Sequence, residues 1–142
     1  MTDINSALKD GWGDEWDWTY RAIVIRVVDG DTIDILADLG FGQWVSDRIR
    51  LVADVEKGKV TCGLDAPEKR GPSRDEGKES MEALIELLHA HSLHPTGPAK
   101  VVIRTAKKKG KFGRMLGAVY GSAGLNIGRT LIDQGHAVER NY

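Results

Sequence analysis

Apolar positions first become regular at residues 20–28, where β-branched Ile23, Val24, Ile25, Val27 and Val28 predict a strand. Asp29-Gly30-Asp31 reads as a turn, with Gly30 suited to the positive φ of a tight hairpin. Over residues 32–37 apolar Ile33 and Ile35 alternate with polar Asp34, the period of a half-buried strand. Gly40 and Gly42 interrupt the chain, and residues 44–52 form a third strand, completing a β-meander. Residues 53–62 carry Glu56-Lys57-Gly58-Lys59 and read as a loop or hairpin extension.

The period then changes. After a Gly/Pro/Arg-rich loop, Met81, Leu84, Ile85 and Leu88 recur at helical spacing, predicting an amphipathic helix over 75–91. Ser73 and Glu76 stand three apart, as a capping box requires, with Asp75 as the alternative cap. His94-Pro95 and Gly97-Pro98 end that helix, and residues 100–105 and 115–120 are two further strands. Asn126 caps a short closing helix carrying Ile127, Leu131 and Ile132, which Gly135 stops. Three strands, a helix, two strands and a helix make an α+β fold that is mainly β. The reading divides the chain into an acidic, Trp-rich arm (1–18) and one domain (19–142).

Composition narrows the class. The 142 residues are 41% hydrophobic and 29% charged, with 17 glycines and one cysteine, Cys62. That is a globular, turn-rich chain with no intrachain disulfide. No basic-then-apolar leader and no apolar run near the ~18 residues of a membrane span is present, so a soluble, cytoplasmic protein is expected, with secretion from a trimmed precursor as the alternative. Net charge is only −1, but it is unevenly spread. Asp3, Asp10, Asp14, Glu15 and Asp17 oppose Lys9 alone in the arm, where Trp12, Trp16 and Trp18 are expected to pack in part on the domain. Residues 100–114 hold Lys100, Arg104, Lys107, Lys108, Lys109, Lys111 and Arg114 with no acid. Such a run is either a solvated hairpin tip or a surface for a polyanion.

The candidate chemistry lies beside the turns. Asp31 and Asp65 stand at strand ends, Glu68 follows Asp65 across Pro67, and Arg50 and Arg114 lie in or next to strands. Two acids for a divalent cation, a third as base and two guanidiniums for a phosphate are what phosphodiester hydrolysis requires. Acids next to turns are also common as caps, so spacing alone leaves a structural role open.

Val28-Asp29-Gly30-Asp31-Thr32, Arg50-Leu51-Val52, Gly63-Leu64-Asp65-Ala66-Pro67-Glu68 and Lys111-Phe112-Gly113-Arg114 resemble, in order, the motifs of the staphylococcal nuclease (thermonuclease) family. Leu131-Ile132-Asp133-Gln134-Gly135-His136-Ala137 is similar to that family's last barrel-packing helix. The resemblance implies a five-stranded OB-like barrel with two packed helices and without the family's C-terminal helix. It implies a calcium-dependent nuclease, with magnesium equally compatible with the ligand chemistry. Asp31, Asp65 and the backbone carbonyl of Ala66 would hold the metal. Glu68 would be the general base, and Arg50 and Arg114 would grip the phosphate. Lys107, Lys108, Lys109, Lys111 and Tyr142 would contact nucleic acid.

Three features depart from the family. Arg50 precedes Asp65 by fifteen residues instead of five, which reads as an insertion at 53–62. Phe112 replaces a frequent tyrosine, and the chain stops at Tyr142. The expected substrate is DNA, RNA or both, read through the backbone and favoured when single-stranded or flexible, by a monomer. The alternative is a non-catalytic OB-type nucleic-acid-binding module.

Overall fold

The computed structural model describes residues 3–6 and 16–141. Its elements in chain order are β1 (Trp18–Asp29), β2 (Thr32–Gly40), β3 (Gln43–Leu51), β4 (Asp54–Glu56), β5 (Lys59–Asp65), α1 (Arg74–Ala90), β6 (Lys100–Thr105), β7 (Met115–Tyr120), α2 (Ile127–Asp133) and β8 (Val138–Arg140). The fold is mainly β, with the helices α1 and α2 packed on it. Five strands close into a barrel in the order β1-β2-β3-β7-β6, all neighbours antiparallel except β3 and β7.

The alternation in β2 sends Ile33, Ile35 and Ala37 inward, and Ile49 and Leu51 do the same from the end of β3. Leu84, Leu87 and Leu88 of α1 and Ile127 and Leu131 of α2 join the same buried cluster, so the helices plug the barrel. Truncating one such leucine typically costs about 2–5 kcal/mol. The single cysteine, Cys62, is free. No helix among the described residues is long and apolar enough to cross a membrane.

Several local expectations are corrected. Gly30 does not have a positive φ. It is small for another reason: a Cβ there would stand 2.7 Å from the Ser80 Cβ and 3.1 Å from the Ala66 Cβ. Ser73 is the N-cap of α1 but forms no side-chain cap, so no capping box exists. Its hydroxyl instead donates to the Glu68 carbonyl at 3.4 Å.

Residues 53–62 form the β4–β5 hairpin, turned by Lys57 and Gly58, both at positive φ. Strand β5 ends at Asp65, the strand-end position expected for it, and pairs with the unanticipated β8 to make a three-stranded side sheet. Strand β1 begins at Trp18, and Asp17 accepts from the Lys57 amide at 2.7 Å, while Trp12 lies outside the described residues. Asn126 caps α2 as expected, accepting from the Arg129 amide at 3.0 Å.

Candidate active site

Where β1 turns into β2, Asp31 is buried by its neighbours. One carboxylate oxygen accepts from the Thr32 hydroxyl at 2.9 Å and the other from the Ala66 amide at 3.1 Å. The Asp31 carbonyl accepts from the Leu51 amide at 2.7 Å, so the turn is fastened to the end of β3. The missing Cβ of Gly30 lets Ala66 and α1 approach this turn closely.

Arg50 lies between Ile49 and Leu51, both buried in the barrel, so the strand pleat sends its side chain to the other face. There its Nη2 donates to Asp65 Oδ1 at 2.8 Å and to the Leu64 carbonyl at 3.3 Å, and it forms an ion pair with Asp31 Oδ2 at 3.3 Å. The Arg50 side chain is 13% exposed, and its Nε is buried without a hydrogen-bond partner. An unpaired buried donor is costly, typically about 1–3 kcal/mol, and charge makes it costlier.

The β4–β5 hairpin accounts for the long interval between Arg50 and Asp65. The chain leaves the barrel after β3, reverses at Lys57-Gly58 and returns along β5 to set Asp65 beside the arginine. Asp65 is half-exposed, and Arg140 of β8 lies 3.8 Å from its second oxygen.

Asp31, Arg50, Asp65, Ala66, Glu68 and Arg114 all line one cleft of about 430 Å³. Glu68 and Arg114 are exposed on it. Glu68 is positioned from behind by α1: a Cβ on Gly77 would fall 2.2 Å from the Glu68 carbonyl oxygen. Phe112 also lines the cleft, 93% exposed and at φ 62°, in a turn closed by the Gly110 amide on the Arg114 carbonyl at 2.6 Å.

Sequence reasoning missed Asp29, Asp47 and Arg48 on the same walls. Arg48 could have been found, because the pleat puts residues 48 and 50 on one face of β3. Its guanidinium donates to Asp34 at 2.7 Å, and that hydrogen bond holds the Asp34 carboxyl below the usual carboxylate range.

The lysine run is placed differently. Lys107, Lys108, Lys109 and Lys111 are exposed, and none of them lines the cleft. Lys107 carries its ammonium 5.6 Å from the Trp18 ring centre, and Lys109 pairs with Asp47 at 3.3 Å. Tyr142 lies outside the described residues.

As ligands for a cation, the cleft offers two hard carboxylates. Asp31 Oδ2 and Asp65 Oδ1 are both within 3.3 Å of the same arginine nitrogen, so the two carboxylates converge on one side of the cleft. Among the described residues no group of three or more His, Cys, Asp and Glu side chains gathers as a metal site, so further ligands would be backbone oxygens or water. A hard cation that keeps waters fits that donor set; a thiophilic one does not.

No family model matches the chain. It is 32% identical over 114 residues to a protein of Escherichia coli O157:H7 named an uncharacterized endonuclease, covering 80% of this chain and 57% of that protein. An Escherichia coli protein of the same name is 31% identical over 114 residues, with the same coverage of 80% and 57%. Protein ParB of Escherichia coli is 29% identical over 125 residues, covering 82% of this chain and 55% of that protein. The chain thus spans little more than half the length of the curated relatives it matches, two of which carry an endonuclease name.

Proposed function

We propose that this chain is a metal-dependent nuclease of the staphylococcal nuclease type, hydrolysing DNA or RNA phosphodiesters on an OB-like barrel. One observation carries the reading: Arg50, tied to both Asp31 and Asp65, keeps a buried Nε with no partner in a cleft that also holds Glu68 and Arg114. A phosphate supplies the acceptor that this nitrogen lacks, and a guanidinium can hold two of its oxygens at once. The strand order β1-β2-β3-β7-β6, with the acidic turn and the Arg114 loop both on the cleft, supports the OB-like reading. The endonuclease names of two relatives support the reaction class.

In this mechanism Asp31 and Asp65, with the Ala66 carbonyl, would hold calcium, or magnesium in its place. The bound cation would supply charge neutralisation at the phosphate and orient water. Arg50 binds the scissile phosphate through Nε and Nη and stabilises the negative charge that builds on its oxygens. Arg114 meets the same charge from its exposed loop. Glu68 accepts the proton of the attacking water. Nothing in this set reads a base, so a flexible single strand that can settle its backbone into the cleft is the preferred substrate, and a monomer suffices.

A second reading, an OB-type module that binds without cutting, is favoured by the two acids that already occupy Arg50. One experiment separates them. Single-stranded oligonucleotide is incubated with the protein in calcium, in magnesium and in chelator. Cleavage that the chelator abolishes supports the nuclease, and binding without cleavage in either metal supports the module.

A further inference from the structure

A second groove, of about 660 Å³, meets the cleft along Val28, Asp29 and Glu68. Its remaining lining is Arg26, Val27, Lys69, Arg70 and Met81. Glu68 is therefore a wall shared by two depressions. We propose that this groove is a nucleotide subsite holding the strand segment next to the scissile phosphate, with Arg26, Lys69 and Arg70 on its phosphates and Val27 and Met81 beneath a sugar or base. The proposal rests on the nuclease reading and adds the path the substrate takes.

The three cations are only loosely committed within the protein. Arg26 lies 3.7 Å from Asp34 and is 64% exposed, and Lys69 lies 4.0 Å from Asp29. Arg70 is exposed and forms no ion pair among the described residues. Exposed ion pairs of this length contribute little, about 0–1 kcal/mol, so exchange for a phosphate is cheap. By contrast, Lys107 and Lys109 of the lysine run already face Trp18 and Asp47.

The groove is also held in shape. Gly77 of α1 packs its backbone against the Glu68-Lys69 peptide, with room for no side chain, which holds Lys69 and Arg70 opposite β1. Met81, one turn further along α1, lines the groove together with Val27. Cationic and apolar side chains lining one groove match a nucleotide, which is charged at one end and apolar along its base faces. A free phosphate would leave the apolar lining unused.

Affinity for fluorescein-labelled dT12 is measured by anisotropy in chelator, across salt, for the wild-type chain, Arg26→Gln, and Arg26→Gln/Lys69→Gln/Arg70→Gln. Hydrolysis of a thymidine nitrophenyl phosphate ester, small enough to occupy only the cleft, is measured in calcium. Removing three cations from a single strand's phosphates should flatten the slope of log K against log salt by about two units and weaken binding roughly a hundredfold at 0.1 M salt. Arg26→Gln alone, on a barrel strand away from the Glu68 loop, should flatten it by about 0.7. Ester hydrolysis should stay within about twofold of wild type, because the ester presents no phosphate to the groove. Unchanged slopes, or an equal loss on dT12 and on the small ester, overturn the groove. A wild-type chain that cleaves neither substrate overturns the nuclease reading, while the anisotropy still decides the groove.

Discussion

Arg50 and Asp65 stand fifteen residues apart in the chain and 2.8 Å apart in space, joined by a hydrogen bond that the β4–β5 hairpin makes possible. The same arginine nitrogen reaches Asp31, so two acids delivered by different turns share one cation. If this guanidinium grips the phosphate, Arg50→Lys should lower cleavage by at least roughly 10²–10³-fold, the cost of losing one donor to a transition-state oxyanion. An ammonium is a point charge and cannot reproduce the paired contact. Lys59→Ala, at the far end of β5 and about 20 Å away at the rise of a strand, should change the rate less than about threefold. Steady-state cleavage of an oligonucleotide by both variants checks the pair of outcomes.

Much of this arrangement was legible in the sequence. Strict alternation in β2 revealed its inward residues, and the same period turned Arg50 away from Ile49 and Leu51. The β4–β5 hairpin was readable in outline because Lys57-Gly58 is a turn on local grounds alone. What escaped depends on packing between residues far apart along the chain. Gly30 is small because Ser80, fifty residues later, packs against it, and no local conformational preference reveals that. Strand β8 is exposed at all three positions and so has no apolar period, although it pairs with Gly63, Leu64 and Asp65. The lysine run looked free because its partners, Trp18 and Asp47, are remote in sequence.

Asp31→Asn should remove most calcium affinity while keeping the fold. The amide oxygen can still accept from the Ala66 amide while the amide NH2 donates to the Thr32 hydroxyl, which turns from donor to acceptor, so the local hydrogen bonds survive where the charge does not. Calorimetric titration reads the metal and thermal unfolding reads the fold. Calcium bound as tightly as by wild type would assign the metal elsewhere.

Glu68 is exposed on the cleft, and its predicted role is to take a proton from water. Glu68→Gln keeps the shape and loses the base, so kcat should fall by about 10²–10⁴-fold with substrate affinity retained. The comparison belongs on a pH–rate profile between about pH 6 and 9. Identical profiles for the two proteins would sink the assignment.

The lysine run gives a graded expectation. Replacing Lys108 and Lys111 with alanine should flatten the salt dependence of single-strand binding by up to about 0.7 for each phosphate no longer neutralised. Replacing Lys107 and Lys109 should flatten it less, because Trp18 and Asp47 compete for those ammoniums. Equal effects for the two pairs would mean that the intramolecular interactions are too weak to matter.

Gly77→Ala tests whether α1 positions the base, and its two effects on stability have opposite signs. Alanine in a helix interior is favoured over glycine by about 0.8–1.0 kcal/mol, so helix propensity alone predicts a more stable protein. Against this, the added methyl would lie 2.2 Å from the Glu68 carbonyl oxygen and 2.6 Å from the Lys69 amide nitrogen, both backbone atoms. Overpacking of that kind costs about 1–3 kcal/mol when the surroundings cannot yield, which outweighs the propensity gain. The thermal midpoint should therefore fall by a few degrees, and the Glu68 loop should move outward from α1. A shift of about 1 Å in a reacting group can cost roughly 10²-fold, so kcat should fall steeply. Calcium affinity should hold, since Asp31 and Asp65 are fastened by Thr32, Ala66 and Arg50 and not by Gly77. A variant that melts higher and cleaves as wild type would mean that the loop yields freely and that Glu68 is not held by the helix.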